Sequence, residues 1–155
     1  PQFAISLYIK NDILNLIPKS VTLGIGCKKG KSPEELEAFI LETLDEHKID
    51  LRSLEKIASI DLKKEEKAII SFAHKFKIPF VTFSANELNK IPQAVSHSDF
   101  VSKITGTDNV CERAVFAAKA DNLLMPKICR DGMTLAIGER KIEINLPQGL
   151  KECLL

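Results

Sequence analysis

No apolar run in this 155-residue sequence reaches the ~18–20 residues that a helix needs to cross a bilayer, so no membrane-spanning helix is expected. Net charge is nearly absent too. The 22 Lys and Arg residues against 21 Asp and Glu leave +1, so no overall field recruits nucleic acid, and any anion site must be local. The four cysteines, Cys27, Cys111, Cys129 and Cys153, lie far apart, with no C-x-x-C pair and no His beside them. Zinc sites and disulfide frameworks have tighter spacing, so reduced thiols in a cytoplasmic protein are expected, each serving first as a small buried apolar group. His47, His74 and His97 have no spaced partner, and no metal site is expected. The opening PQFAISLYIKND lacks the basic region, apolar core and cleavage site of a leader, and it begins without Met, which leads us to expect a piece of a longer chain. No internal repeat and no low-complexity linker interrupts the sequence.

The chain has the length of one domain and an ordinary globular composition, 45% hydrophobic and 28% charged. Val21–Ile25 is a short apolar run ending in glycines, which reads as a buried strand. Ser32, Pro33 and Glu35 supply an N-cap, a first-turn proline and a capping-box partner for a helix over 33–47, with Leu36, Phe39, Ile40 and Leu44 at helical spacing. IASID (57–61) and IPFVTFS (78–84) read as strands around a helix carrying Ile69, Phe72, Ala73 and Phe76, and Ser84 opens a short helix near Glu87. SDFVSK begins with a short strand, and a helix follows over about 109–120. LLMPKIC, MTLAIG and KIEINL, joined by RDG and GER, read as hairpin strands, with Pro126 suited to an edge or bulge. The fold expected is a three-layer α/β/α sandwich with a mixed, mainly parallel sheet and C-terminal antiparallel hairpin strands. Its expected span is 21–146, preceded by a linker or extension over 1–20 and followed by a tail over 147–155.

Two glycine turns carry the candidate chemistry. In GIGCKKGKS (24–32), a nucleotide phosphate loop ending in Gly30-Lys31-Ser32 would need glycine at position 25, where Ile25 stands. The dinucleotide fingerprint fails as well, because Lys29 holds the place of its third glycine. Gly24, Gly26, Cys27, Lys28, Lys29 and Gly30, with Lys31, form either a tight turn with solvated lysines or an anion site. In the second case backbone N–H groups, a helix N-terminus and three cations would favour a carboxylate-rich ligand. The second segment, TGTDNVCER (105–113), gathers Gly106, Asp108, Asn109, Cys111, Glu112 and Arg113 at a turn before a helix. Asp108 or Asn109 could simply cap that helix, with Glu112 closing a capping box, or the cluster could bind and act on a ligand. Turns of this kind gather at the carboxyl ends of strands, so both segments are expected at one cleft.

GIGCKKGKSPEELE, IASIDLKKEE, IPFVTFSANEL, TGTDNVCERAV and LLMPKICRDGMTLAI, in this order, resemble the C-terminal domain of the cobalamin biosynthesis protein CbiG over residues 21–138. That family is cobalt-precorrin-5A hydrolase, with CobE as a free-standing relative. The resemblance implies a step in corrin ring contraction: water opens the δ-lactone of cobalt-precorrin-5A, and acetaldehyde leaves to give cobalt-precorrin-5B. It also implies a cobalt-precorrin tetrapyrrole as ligand, cobalt carried by the substrate with no cofactor of the protein's own, and an N-terminal domain elsewhere in a full-length protein. No nucleic-acid or membrane partner is implied, and a homodimer is compatible with it. For lactone opening, Glu112 is the expected base, and Asn109 or turn N–H groups the oxyanion donors, with Asp108 beside them. The lysine turn and Arg113 are expected to hold acetate and propionate groups. Cys111 is the alternative nucleophile, although no His is tied to it. The alternative function is a non-catalytic corrinoid-binding or carrier module.

Overall fold

A computed structural model describes residues 3–5, 14–92 and 109–143. Two short strands, β1 (Phe3–Ile5) and β2 (Leu14–Leu16), pair in parallel, apart from the main sheet. The main sheet holds β3 (Val21–Cys27), β4 (Leu54–Ile60), β5 (Phe80–Phe83), β6 (Asn122–Arg130) and β7 (Met133–Glu139) in the order β5-β4-β3-β7-β6. β3, β4 and β5 pair in parallel, while β7 runs against both β3 and β6. Four of the five strands therefore point one way, and the expected mixed, mainly parallel sheet is found.

Alternation along β3 sets the layers. Val21, Leu23, Ile25 and Cys27 point to one face. There they meet α1 (Pro33–Glu46) and α2 (Lys67–Phe76) through Leu36, Phe39, Ile40, Leu44, Ile69 and Phe72. On the other face lie α3 (Ala85–Asn89) and α4 (Val110–Ala117), where Leu88, Val110 and Ala114 pack with Ala58 and Ile60 of β4. Each fully buried side chain of this kind, such as Phe39 or Phe72, contributes roughly 1.5–3 kcal/mol of burial free energy. This is the three-layer α/β/α arrangement.

The local signals have visible causes. Ser32 Oγ accepts the Glu35 N–H at 3.3 Å, and Ser32 N–H donates to Glu35 Oε2 at 3.4 Å, closing the expected capping box at α1. Ser84 and Glu87 close another at α3. α4 stops at Ala117, short of the expected residue 120, because Lys119 turns to φ +74° and Ala120 N–H returns to Val115 O. Pro126 sits on the outermost strand, where the β6–β7 register shifts on both sides of Met125, so it removes no ladder bond that the sheet needs.

One expectation is corrected. Residues 141–143 form no third hairpin strand, and 144–146 lie outside the described residues, as do the expected strand near 100 and His97. β7 already has β3 on one side and β6 on the other, so no edge remains for a strand returning beside it. Arg140 N–H instead bonds Ser20 O, and Lys141 N–H bonds Asp121 Oδ2.

Candidate functional site

The first glycines belong to β3 and not to the turn. A Cβ on Gly24 would lie 1.9 Å from the backbone oxygen of Cys111, and one on Gly138 would lie 2.2 Å from Val115 Cγ1. The two bare positions are what let α4 settle on the sheet. Gly26 pairs with Thr134, whose Oγ1 a Cβ there would meet at 2.5 Å. The turn proper is Lys28–Lys31, with Lys28, Lys29 and Gly30 exposed and Gly30 at φ +76°.

The expectation that main-chain N–H groups here cradle a ligand needs correcting for two of them. Lys28 N–H donates to Gly132 O at 2.9 Å, in the β6–β7 hairpin turn, and Gly30 N–H donates to Glu66 Oε1 at 3.2 Å. The protein's own acceptors thus hold the donors that a phosphate would use. Lysine charge is what faces outward. The Lys28 stem lies along Gly132, whose φ of +78° and lack of Cβ leave room for it. Lys31 pairs with Glu35 at 3.2 Å, and Lys29 is exposed.

Cys27, at the end of β3, is buried, and its thiol is pushed up to about 11, first by burial and then by the neighbouring Glu66 carboxylate. Glu66 and Lys63 belong to this site, and sequence reasoning missed them. IASIDLKKEE entered only as one segment of the resemblance, and the 36-residue separation between Gly30 and Glu66 is closed by the β3–β4 crossover alone.

In the second segment, Gly106 and Asp108 lie outside the described residues. Asn109 precedes α4 with φ 47° and ψ 53° and makes no side-chain cap bond, so the expected capping box does not form. A capping side chain needs an extended backbone beneath it, and the left-handed backbone at Asn109 does not provide one. Asn109 Nδ2 donates to Glu112 Oε2 at 2.6 Å, and Lys127 N–H donates to Glu112 Oε1 at 2.7 Å. Glu112 is 0% exposed and fastens the start of α4 to the bulged edge strand. Lys56 Nζ holds the other end of the helix by donating to Ala118 O at 3.1 Å.

Cys111 is buried, its Sγ lies 3.7 Å from Asn109 Oδ1, and burial pushes its thiol up to about 12 against a smaller downward pull from the Thr134 hydroxyl. A thiol in that state supplies no thiolate nucleophile near neutrality. Arg113, expected to clamp a ligand carboxylate, directs Nη1 at Leu88 O (3.1 Å) and Ile91 O (2.5 Å). Leu88 O also accepts the Ile91 N–H at 3.1 Å, and Ile91 lies just beyond α3, so Arg113 ties the end of α3 and the chain after it to α4.

Gly26 and Asn109 do share one sheet face and one sheet end. Cys111 lies over Gly24 and near Thr134, the partner of Gly26, while Val115 reaches Gly138, the partner of Thr22. α4 therefore starts at the carboxyl end of β3, where the lysine turn crosses to α1. The carboxyl ends of β4 and β5 open at the same edge, where ligands bind in open α/β sheets. A separate groove of about 470 Å³, lined by Ile70, Ala73, Ile78 and Phe80, opens at the opposite, amino edge. Among the described residues no cluster of His, Cys, Asp and Glu is placed to hold a metal ion, and no helix is long and apolar enough to cross a membrane.

The family model described as cobalamin synthesis G C-terminus matches residues 21–138. Over 121 residues the chain is 35% identical to the cobalt-precorrin-5A hydrolase of Priestia megaterium, covering 77% of this chain and 32% of that protein. It is 29% identical over 120 residues to protein CobE of Sinorhizobium sp, covering 76% of this chain and 78% of that one. The crystal structure of CobE, a protein from the cobalamin biosynthetic pathway, matches with a TM-score of 0.73 at 31% identity, covering 83% of this chain and 96% of that chain. The chain thus spans about a third of the length of the hydrolase and nearly all of the CobE structure. Matched sequence and matched fold agree: this chain belongs to the cobalamin synthesis G C-terminus family.

Proposed function

We propose that this domain holds the cobalt-precorrin substrate, through its acetate and propionate groups, during the hydrolytic step of corrin ring contraction. In that step water adds to the carbonyl of the δ-lactone of cobalt-precorrin-5A, the acyl–oxygen bond breaks to leave a carboxylate and a hydroxyl, and a two-carbon fragment departs as acetaldehyde. The observation that carries this reading is the pair of exposed lysines, Lys28 and Lys29, on a turn at the carboxyl edge of the sheet. An exposed lysine–carboxylate pair contributes only ~0.2–1 kcal/mol, so a single carboxylate gains little there. A macrocycle bearing many carboxylates engages several cations at once, and its apolar ring adds buried area.

Burial of Glu112 and Cys111, and the engagement of Arg113 with carbonyls, favour a holding role for these residues over acid–base chemistry at the lactone. Water activation is then the work of other groups, in this chain or in the remaining two thirds of a hydrolase-length protein. The near-complete overlap with CobE supports a unit that can stand alone as a corrinoid binder.

The test is a calorimetric titration of the 155-residue chain with cobyrinic acid, a stable corrin polycarboxylate, at low and high salt. Saturable binding that weakens as salt screens the lysines is expected. No binding at either salt would remove the reading.

A further inference from the structure

The lysine turn is anchored on both sides of Lys29. Lys28 N–H is tied to Gly132 O, and Gly30 N–H is tied to the carboxylate of Glu66, which stands at the N-cap of α2 with its side chain 9% exposed. Among the described residues, apart from the chain neighbours of Gly30, no heavy atom lies within 4 Å of where a Gly30 Cβ would be. The other Glu66 oxygen lies 3.9 Å from Lys63 Nζ. The charge of Glu66 also reaches Cys27, the residue just before the turn.

We propose that Glu66 is a positioning residue for the lysine turn, fixing Gly30 in its left-handed conformation so that Lys28 and Lys29 stand ordered before a ligand arrives. This rests on the turn being a carboxylate site. Two effects of Glu66 oppose each other. Its hydrogen bond orders the turn during folding, so the ordering cost is not charged to binding. Its negative charge repels an incoming carboxylate, an effect that Lys63 partly offsets at 3.9 Å. The bond holds the turn directly, whereas the repulsion is offset by Lys63 and by the lysines of the turn itself, so ordering should dominate.

Glu66→Gln and Glu66→Ala separate these effects. Gln keeps an oxygen acceptor for Gly30 N–H and removes the charge, and Ala removes both. Positioning predicts that E66A weakens cobyrinic acid binding by ~5–10-fold, while E66Q binds within ~2-fold of wild type or tighter. Charge repulsion alone predicts that both variants bind tighter. Amide exchange provides a readout without ligand: Gly30 should exchange at least ~10-fold faster in E66A and stay protected in E66Q. Ile57, in the core, serves as the control for general loosening of the fold. Binding by E66A equal to or tighter than wild type, or Gly30 exchange unchanged in E66A, would overturn the proposal. Failure of the wild-type chain to bind cobyrinic acid would instead overturn the carboxylate-site reading on which it rests.

Discussion

Gly24 lies directly beneath Cys111: a Cβ on the strand residue would stand 1.9 Å from the helix residue's backbone oxygen and 2.7 Å from Val115 Cγ2. The obstacle is main chain, so relief requires the whole of α4 to lift. Gly24→Ala should therefore cost ~3 kcal/mol, at the upper end for overpacking, and lower Tm by roughly 10 °C in a domain of this size. Among the described residues Gly26→Ala meets Thr134, closest at a hydroxyl that can rotate, and should cost less than ~1.5 kcal/mol. Chemical denaturation of the two variants measures the difference. Equal losses would mean that α4 is not seated on Gly24.

Glu112 accepts from Asn109 Nδ2 and from Lys127 N–H while fully buried. Glu112→Ala leaves a part-buried N–H without its acceptor and should destabilise the domain by ~2–3 kcal/mol. Glu112→Gln keeps one acceptor for Lys127 and should cost about 1 kcal/mol. Acetaldehyde release should change less than ~3-fold in the Gln variant when the domain is joined to the rest of a hydrolase, against the ~10²-fold or greater loss expected of a general base. A loss of that larger size without destabilisation would return Glu112 to the chemistry.

Replacing Lys28 and Lys29 together by Ala should weaken cobyrinic acid binding by ~5–30-fold and flatten its salt dependence. ATP should not bind at micromolar concentration, because Gly30 N–H is already committed to Glu66 and the phosphate-loop spacing is absent. Calorimetry with both ligands on both proteins checks this. Micromolar ATP binding that disappears in the double variant would reverse the assignment of ligand class.

The buried thiols give a pH dependence with a definite sign. Cys27 and Cys111 ionise near 11 and 12 in the folded protein, against 9.0 for the unperturbed thiol, so above pH 9 the unfolded chain holds fewer protons than the folded one. Stability is full below that pH. It falls as pH rises from 9 to 11 by up to about 1.4 kcal/mol per pH unit for each thiol. At neutral pH exposed Cys129 should react with iodoacetamide well before Cys27 or Cys111. Urea melts between pH 8 and pH 10 and peptide mapping of the alkylated chain read the two effects.

The layers and their order were legible because the signals were local. The apolar run Val21–Ile25, the Ser32–Glu35 box, the helix start at Ser84 and the RDG turn each work within a few residues, and the structure contains all of them. Of the candidate site, the charged turn of Lys28 and Lys29 was legible as such, and both lysines are exposed. Gly24 looked like turn chemistry because nothing local shows that a helix 87 residues later will press on it. Asn109–Glu112 has the spacing of a capping box, but the left-handed backbone at Asn109 turns the same two side chains onto each other. Glu66 ends IASIDLKKEE, a segment that carries the resemblance but assigns Glu66 no role. Its role arises from a crossover that brings the start of α2 beside the turn after β3.

The most direct test of carboxylate capture at the lysine turn is a crystal structure of this chain with cobyrinic acid bound. The account predicts a macrocycle at the carboxyl edge of β3 and β4, with at least one of its carboxylates within ~3.2 Å of Lys28 or Lys29 Nζ and the Gly30–Glu66 bond intact. A macrocycle lodged in the groove of Ile70 and Phe80 at the opposite edge, with both lysines free of it, would contradict the account.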